Sequence, residues 1–135
     1  GKTSTAAITA GGYGSGPLPP ATRLTLTEQW NGTSWTEVGD LNEGRNLASM
    51  SGTSTAAIFA GGVITSGAAP SALTESWDGS TWTEVADLSA AKDSMGGTSQ
   101  SAYAAAIWGA WAPGGAGIVG TEEWTQALNV KVITD

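Results

Sequence analysis

A short pattern returns at a fixed interval along this chain. Thr27-Glu28-Gln29-Trp30, Thr74-Glu75-Ser76-Trp77 and Thr121-Glu122-Glu123-Trp124 follow one another in steps of 47 residues. The first two copies continue in register, Trp30-Asn31-Gly32-Thr33-Ser34-Trp35-Thr36-Glu37-Val38 matching Trp77-Asp78-Gly79-Ser80-Thr81-Trp82-Thr83-Glu84-Val85. Upstream, Thr3-Ser4-Thr5-Ala6-Ala7-Ile8 through Gly11-Gly12 matches Thr53 through Gly61-Gly62. The third copy is weaker, with Ile107-Trp108-Gly109-Ala110 where a Gly-Gly pair is due and no second Trp. A period of this length marks stacked supersecondary units, none of which can bury its apolar face alone. The 135 residues therefore divide into three units, 1–44, 45–91 and 92–135, of one repeat domain.

Within a unit the pattern is that of strands. Leu24, Leu26, Glu28 and Trp30 alternate with Thr25, Thr27 and Gln29, a period of two that places them on opposite faces of a strand. Asn31-Gly32 and Asp78-Gly79 predict tight hairpins, of type I′ where both central residues take positive φ. Trp35–Leu41 and Trp82–Leu88 are the expected returning strands. Ala6-Ala7-Ile8 up to Gly11-Gly12 adds a strand of small residues that a neighbouring sheet can approach closely. Arg45–Gly52 supplies a fourth strand, which unit one lacks, and Asn129–Thr134 the last strand of unit three. The expectation is an all-β chain of three four-stranded antiparallel sheets.

Composition removes whole classes of function. The chain has no Cys and no His, so thiolate zinc sites, cysteine nucleophiles and histidine bases are absent together. A net charge of −7, with only five basic residues scattered along the chain, opposes binding to a phosphate backbone. The uncharged stretch 94–121 is rich in Ala, Gly and Ser and holds Pro113, which reads as strands and a loop and not as a membrane span. The polar start Gly1-Lys2-Thr3 carries no apolar segment of a signal peptide, and none is expected.

A strand ending in Gly-Gly, a variable loop, a strand bearing Glu and an aromatic, a Trp five residues on, and then a basic residue resembles the kelch repeat. Gly11, Gly12, Glu28, Trp30, Trp35 and, one residue past its end, Arg45 carry the pattern of unit one; Gly61, Gly62, Glu75, Trp77, Trp82 and, likewise one residue past its end, Lys92 carry that of unit two. Glu122 and Trp124 keep part of it in unit three. Similar spellings occur in kelch-like arrays of bacterial and viral open reading frames. The resemblance implies a β-propeller of which this chain is about half of six blades. It further implies an interaction module on a cell or virion surface.

Each remaining motif has a structural explanation. Gly1-Lys2-Thr3 lacks the upstream glycine and spacer of a phosphate-binding loop. Asp78 and Gly79 are adjacent, whereas the Asp-box of sialidases separates them, and Arg23 and Arg45 are the only arginines for a substrate carboxylate. The copper site of galactose oxidase, also a kelch propeller, needs Cys and His. Ser and Thr are plentiful, but nothing beside them would activate a nucleophile. Asn31-Gly32-Thr33 fits a glycosylation sequon, yet the turn already explains it. Glu28, Glu75 and Glu122 could form a carboxylate ring; the alternative is a repeated structural contact with Arg45 or Lys92 of a neighbouring unit. No catalytic residue, metal site or cofactor is expected. Trp30, Trp35, Trp77 and Trp82 are expected to pack between successive sheets.

The loops after each Gly-Gly, 13–23, 63–72 and 111–120, differ while their flanking strands agree, which is where recognition is usually built. Tyr13, Arg23 and Trp111 are their bulky or charged groups, and Trp108, on the adjoining strand, suits either that site or the core. Aromatic faces with a few polar groups suit a glycan or a peptide. The competing expectation is an assembly role without a ligand. Three blades would leave apolar faces uncovered, so the partner expected is a second copy, giving a homodimer of six blades, the alternative being that the blades belong to a longer polypeptide.

Overall fold

The computed structural model describes residues 5–14, 22–64, 69–98, 104–111 and 117–125; for 98, 104–111, 117–120, 124 and 125 it describes the backbone alone. Every element among them is a β-strand. The first sheet contains β1 (Ala7–Ala10), β4 (Thr27–Trp30) and β5 (Trp35–Glu37), in the order β1-β4-β5. The second is a four-stranded meander of β7 (Ser49–Thr53), β8 (Ala56–Ala60), β10 (Thr74–Trp77) and β11 (Trp82–Glu84). The third joins β12 (Gly96–Thr98), β13 (Ala104–Trp111) and β14 (Gly117–Thr125). Two short ribbons complete the set: β2 (Tyr13–Gly14) with β3 (Thr22–Arg23), and β6 (Arg45–Asn46) with β9 (Val63–Ile64). All pairings are antiparallel.

Thus one sheet has four described strands and the other two have three. The strand expected over Asn129–Thr134 lies outside the described residues. The strand expected over Arg45–Gly52 is divided, because Leu47 takes φ 57° and turns the chain between β6 and β7. Ser94, 47 residues on, does the same at φ 54°.

Register explains the packing. On β8, Ala57 pairs with Trp77 and Phe59 with Glu75, so these four share one sheet face. Ala57, Phe59, Trp77, Trp82 and Leu41 form a buried cluster, against which Ile8, Ala10 and Val38 of unit one pack. Ile58 and Ala60 point the other way, into a second cluster with Leu88 that Ala72 and Met95 cover. With both faces buried, β8 is nearly all apolar, AAIFA, where a half-exposed strand would alternate.

The hairpin turns are where Asn-Gly and Asp-Gly place them, but they are not two-residue type I′ turns. Trp30 pairs with Trp35 and Trp77 with Trp82, leaving four residues in each loop. Gly32 and Gly79 take φ 95° and 98°; Asn31 and Asp78 do not enter the positive region. Instead their side chains organise the loop: the Thr33 and Ser34 amides donate to Asn31 Oδ1 at 2.9 and 3.0 Å, and those of Ser80 and Thr81 to Asp78 Oδ1 at 2.8 Å. Hydrogen bonds from the Thr81 and Ser80 amides hold the Asp78 carboxyl below its usual pKa. A depressed carboxylate stabilises the fold above its unfolded value, and that contribution disappears as pH falls below about 4. Asn31 makes the same amide contacts uncharged. Asp78→Asn is therefore expected to leave the fold intact at pH 7 and to flatten the acid limb of the melting-temperature profile.

Candidate functional site

The repeated glutamates define the first cluster. Arg45 Nη2 donates to Glu75 Oε1 at 2.7 Å, with Arg45 fully buried and Glu75 2% exposed. Arg45 Nη1 donates to the Leu73 carbonyl at 2.5 Å, and the guanidinium lies 5.1 Å from the Phe59 ring centroid. Burial lowers the arginine pKa, with Glu75 acting in the opposite direction; a guanidinium stays protonated regardless. The second carboxylate oxygen of Glu75 accepts from the Asn42 backbone amide at 2.9 Å and from Asn42 Nδ2 at 2.8 Å. One unit later the arrangement repeats: Lys92 Nζ donates to Glu122 Oε1, and the Ser89 amide and hydroxyl each donate to Glu122 at 2.8 Å. A clamp of Asn or Ser followed three residues later by Arg or Lys thus grips the glutamate 30 residues beyond the basic residue.

The Gly-Gly pairs anchor this clamp. The Gly12 amide donates to the Arg45 carbonyl at 2.9 Å, and that of Gly62 to the Lys92 carbonyl at 2.8 Å. A Cβ on Gly11 would collide with the Arg45 carbonyl oxygen, and Gly11 also sits at φ +70°. Asn42 and Ser89 are not among the residues that the repeat motif singles out. Their signal was Leu41-Asn42-Glu43-Gly44-Arg45 over Leu88-Ser89-Ala90-Ala91-Lys92, in register and with both leucines buried.

The four tryptophans are not one packing set. Trp77 and Trp82 are 1% and 6% exposed, their rings 5.2 Å apart. Trp82 Nε1 donates across to Thr27 Oγ1 of the first sheet at 3.0 Å. Trp35 is 48% exposed and Trp30 half-buried, although their rings also pair, at 5.6 Å. Among the described residues nothing occupies the place before the first sheet that the first sheet occupies before the second. Glu28, on the same face, is exposed and has no ion-pair partner among the described residues.

Of the candidate recognition residues, the structure brings Tyr13 and Arg23 together. They are cross-strand partners on the β2–β3 ribbon, with the guanidinium carbon 5.8 Å from the Tyr13 ring centroid. Arg23 Nε donates to Asn46 Oδ1 at 3.0 Å, tying this ribbon to β6. Tyr13 and Leu47 are each 54% exposed, and the Ser94 amide donates to the Leu47 carbonyl. Trp108 and Trp111 lie on β13, whose backbone alone is described, as does Trp124 on β14. Residues 15–21, 65–68 and 112–116 of the three loops lie outside the described residues. Among the described residues no group of three acidic side chains is placed to hold a metal, and no helix is long and apolar enough to cross a membrane.

Neither a family model nor a curated protein matches this sequence. Its fold does match solved structures. One is that of YjhT, with a TM-score of 0.68 at 16% identity, over 80% of this chain and 37% of YjhT. At that identity the likeness concerns the fold: an all-β chain of small antiparallel sheets.

Proposed function

We propose that the protein is a non-catalytic interaction module built as part of a kelch-like β-propeller, with three blades centred on its three sheets. The observation that carries this reading is the Tyr13–Arg23–Asn46 rim. An exposed phenol ring is held in place by a guanidinium that is itself fixed by an amide. Arg45 and Lys92 are buried in ion pairs, which leaves Arg23 as the cation among the described residues with no carboxylate partner. Such a rim presents a flat apolar face beside planar donors, a combination that suits a sugar ring or a peptide side chain. On a glycan array and a peptide library, Tyr13→Ala and Arg23→Ala are expected to reduce binding at least tenfold without moving the melting temperature. Ligands bound equally by the wild type and both variants would show that the rim is not the site.

A second reading, assembly through the sheets with no ligand at the rim, is favoured by a different observation. The first sheet repeats the packing residues of the second, yet Trp35 is 48% exposed where its counterpart Trp82 is 6% exposed.

A further inference from the structure

We propose that the outer face of the first sheet, formed by Thr9, Glu28, Trp30 and Trp35, is a docking surface for a further repeat unit of the same type, which lays a clamp arginine or lysine onto Glu28. The proposal rests on the assembly reading and requires neither a closed propeller nor a ligand at the rim.

The second sheet is the template. Phe59, Glu75, Trp77 and Trp82 share its face toward unit one, and the end of unit one covers them with Val38, Leu41 and Asn42, joined by Arg45 at the boundary. On the first sheet, register puts Thr9 opposite Glu28, Ala7 opposite Trp30, and Trp35 opposite Trp30, so the equivalent positions again share one face. The other face is already engaged: Thr27 accepts from Trp82, and Gln29 Nε2 donates to the Ser54 carbonyl at 2.6 Å.

Charge identifies the occupant. Glu28 stands directly opposite Glu37, as Glu75 stands opposite Glu84. Like charges facing each other across a strand pair are destabilising. At Glu75 the Arg45 guanidinium offsets this repulsion; at Glu28 no cation among the described residues does so. An aromatic pair beside a carboxylate with no counter-charge among the described residues calls for an apolar unit that carries a positive charge. A Leu-Asn/Ser-x-x-Arg/Lys clamp is that unit. A second copy of this chain does not bring one among the described residues, because Arg45 and Lys92 are both committed to Glu75 and Glu122, and Arg23 belongs to no such clamp but lies on the β2–β3 ribbon against Asn46 and Tyr13.

The test supplies such a unit. Thr3 and Thr53 are equivalent positions, so a copy of residues 1–50 joined ahead of the full chain continues the repeat in register. Thr9→Cys in the original first unit introduces a unique thiol, since the chain contains no Cys. Thr9 is exposed and its counterpart Phe59 is buried. Alkylation of that thiol by iodoacetamide is expected to be fast in the parent chain and at least tenfold slower in the extended one. Glu28→Gln in the original unit, or Arg45→Gln in the added copy, is expected to restore fast alkylation in the extended chain. In the parent, Glu28→Gln should leave alkylation fast and should not lower the melting temperature, since it removes the repulsion from Glu37. Equal alkylation in parent and extended chains would overturn the proposal, whether the added unit is folded or protease-sensitive. Protection that appears in the parent alone and grows with its concentration would overturn it differently, by showing that a second copy fills the face. Loss of rim binding on Tyr13→Ala bears on neither result.

Discussion

Trp77→Ala is expected to destabilise the protein by about 3–5 kcal/mol, the usual cost of emptying a buried indole site. Trp35→Ala is expected to cost less than about 1 kcal/mol. The two residues lie on opposite strands of equivalent hairpins, one buried and the other half in solvent, so the contrast tests burial within one kind of hairpin. Trp77 is 1% exposed, contacts Trp82 and donates its indole N–H to the Ser54 carbonyl at 3.0 Å. Its truncation leaves a cavity between two sheets, while the Ser54 carbonyl keeps Gln29 Nε2 as its other donor. Small domains have only about 5–15 kcal/mol in total, so Trp77→Ala should lose most of its cooperative transition in urea. Trp35, half in solvent, leaves no cavity. Far-ultraviolet circular dichroism during denaturation measures both, and the native spectrum is expected to show strand without helix. Equal losses for the two variants would mean that a buried environment exists around Trp35 as well.

Arg45→Met is expected to cost about 3–5 kcal/mol, because it leaves the Glu75 carboxylate buried with Asn42 as its remaining donor. Methionine keeps much of the stem's volume, so the loss reports charge and hydrogen bonding more than packing. Replacing both partners, Arg45→Met with Glu75→Leu, removes the stranded charge and is expected to recover a large part of that loss. Lys92→Met should be milder, since Glu122 is 22% exposed and water screens what the lysine leaves behind. Chemical denaturation of the three variants measures the order directly. If Arg45→Met and Lys92→Met proved equally mild, the inter-unit clamp would contribute little to stability.

Much of this organisation is visible before folding. The 47-residue register, the two hairpins and the alternation through Glu28 and Trp30 are local, and the strands follow them. The pairing of a repeated acid with a basic residue of the adjoining unit is also legible, because a buried carboxylate persists only with a partner. Other features escaped a local reading. Asn-Gly suggested a two-residue turn, whereas the Asn31 and Asp78 side chains recruit two further residues by accepting their amides. Nothing in Arg45-Asn46-Leu47-Ala48 announces that Leu47 leaves the β region and splits a strand. The Leu47 carbonyl accepts from the Ser94 amide, 47 residues along the chain, at 2.9 Å, while the Leu47 side chain is exposed.

By itself the sequence determined the repeat, its strand periodicity and the residue types that meet at each unit boundary, since each depends on near neighbours along the chain. Tertiary structure alone decided which copies of those residues are used. Trp30-Asn31-Gly32-Thr33-Ser34-Trp35 and Trp77-Asp78-Gly79-Ser80-Thr81-Trp82 have the same local code, and both fold into paired indoles on a four-residue turn. One pair is buried and the other stands partly in solvent, because burial is conferred by the sheet that lies against a residue. That sheet comes from the preceding unit, dozens of residues away, and is described for the second copy but not for the first.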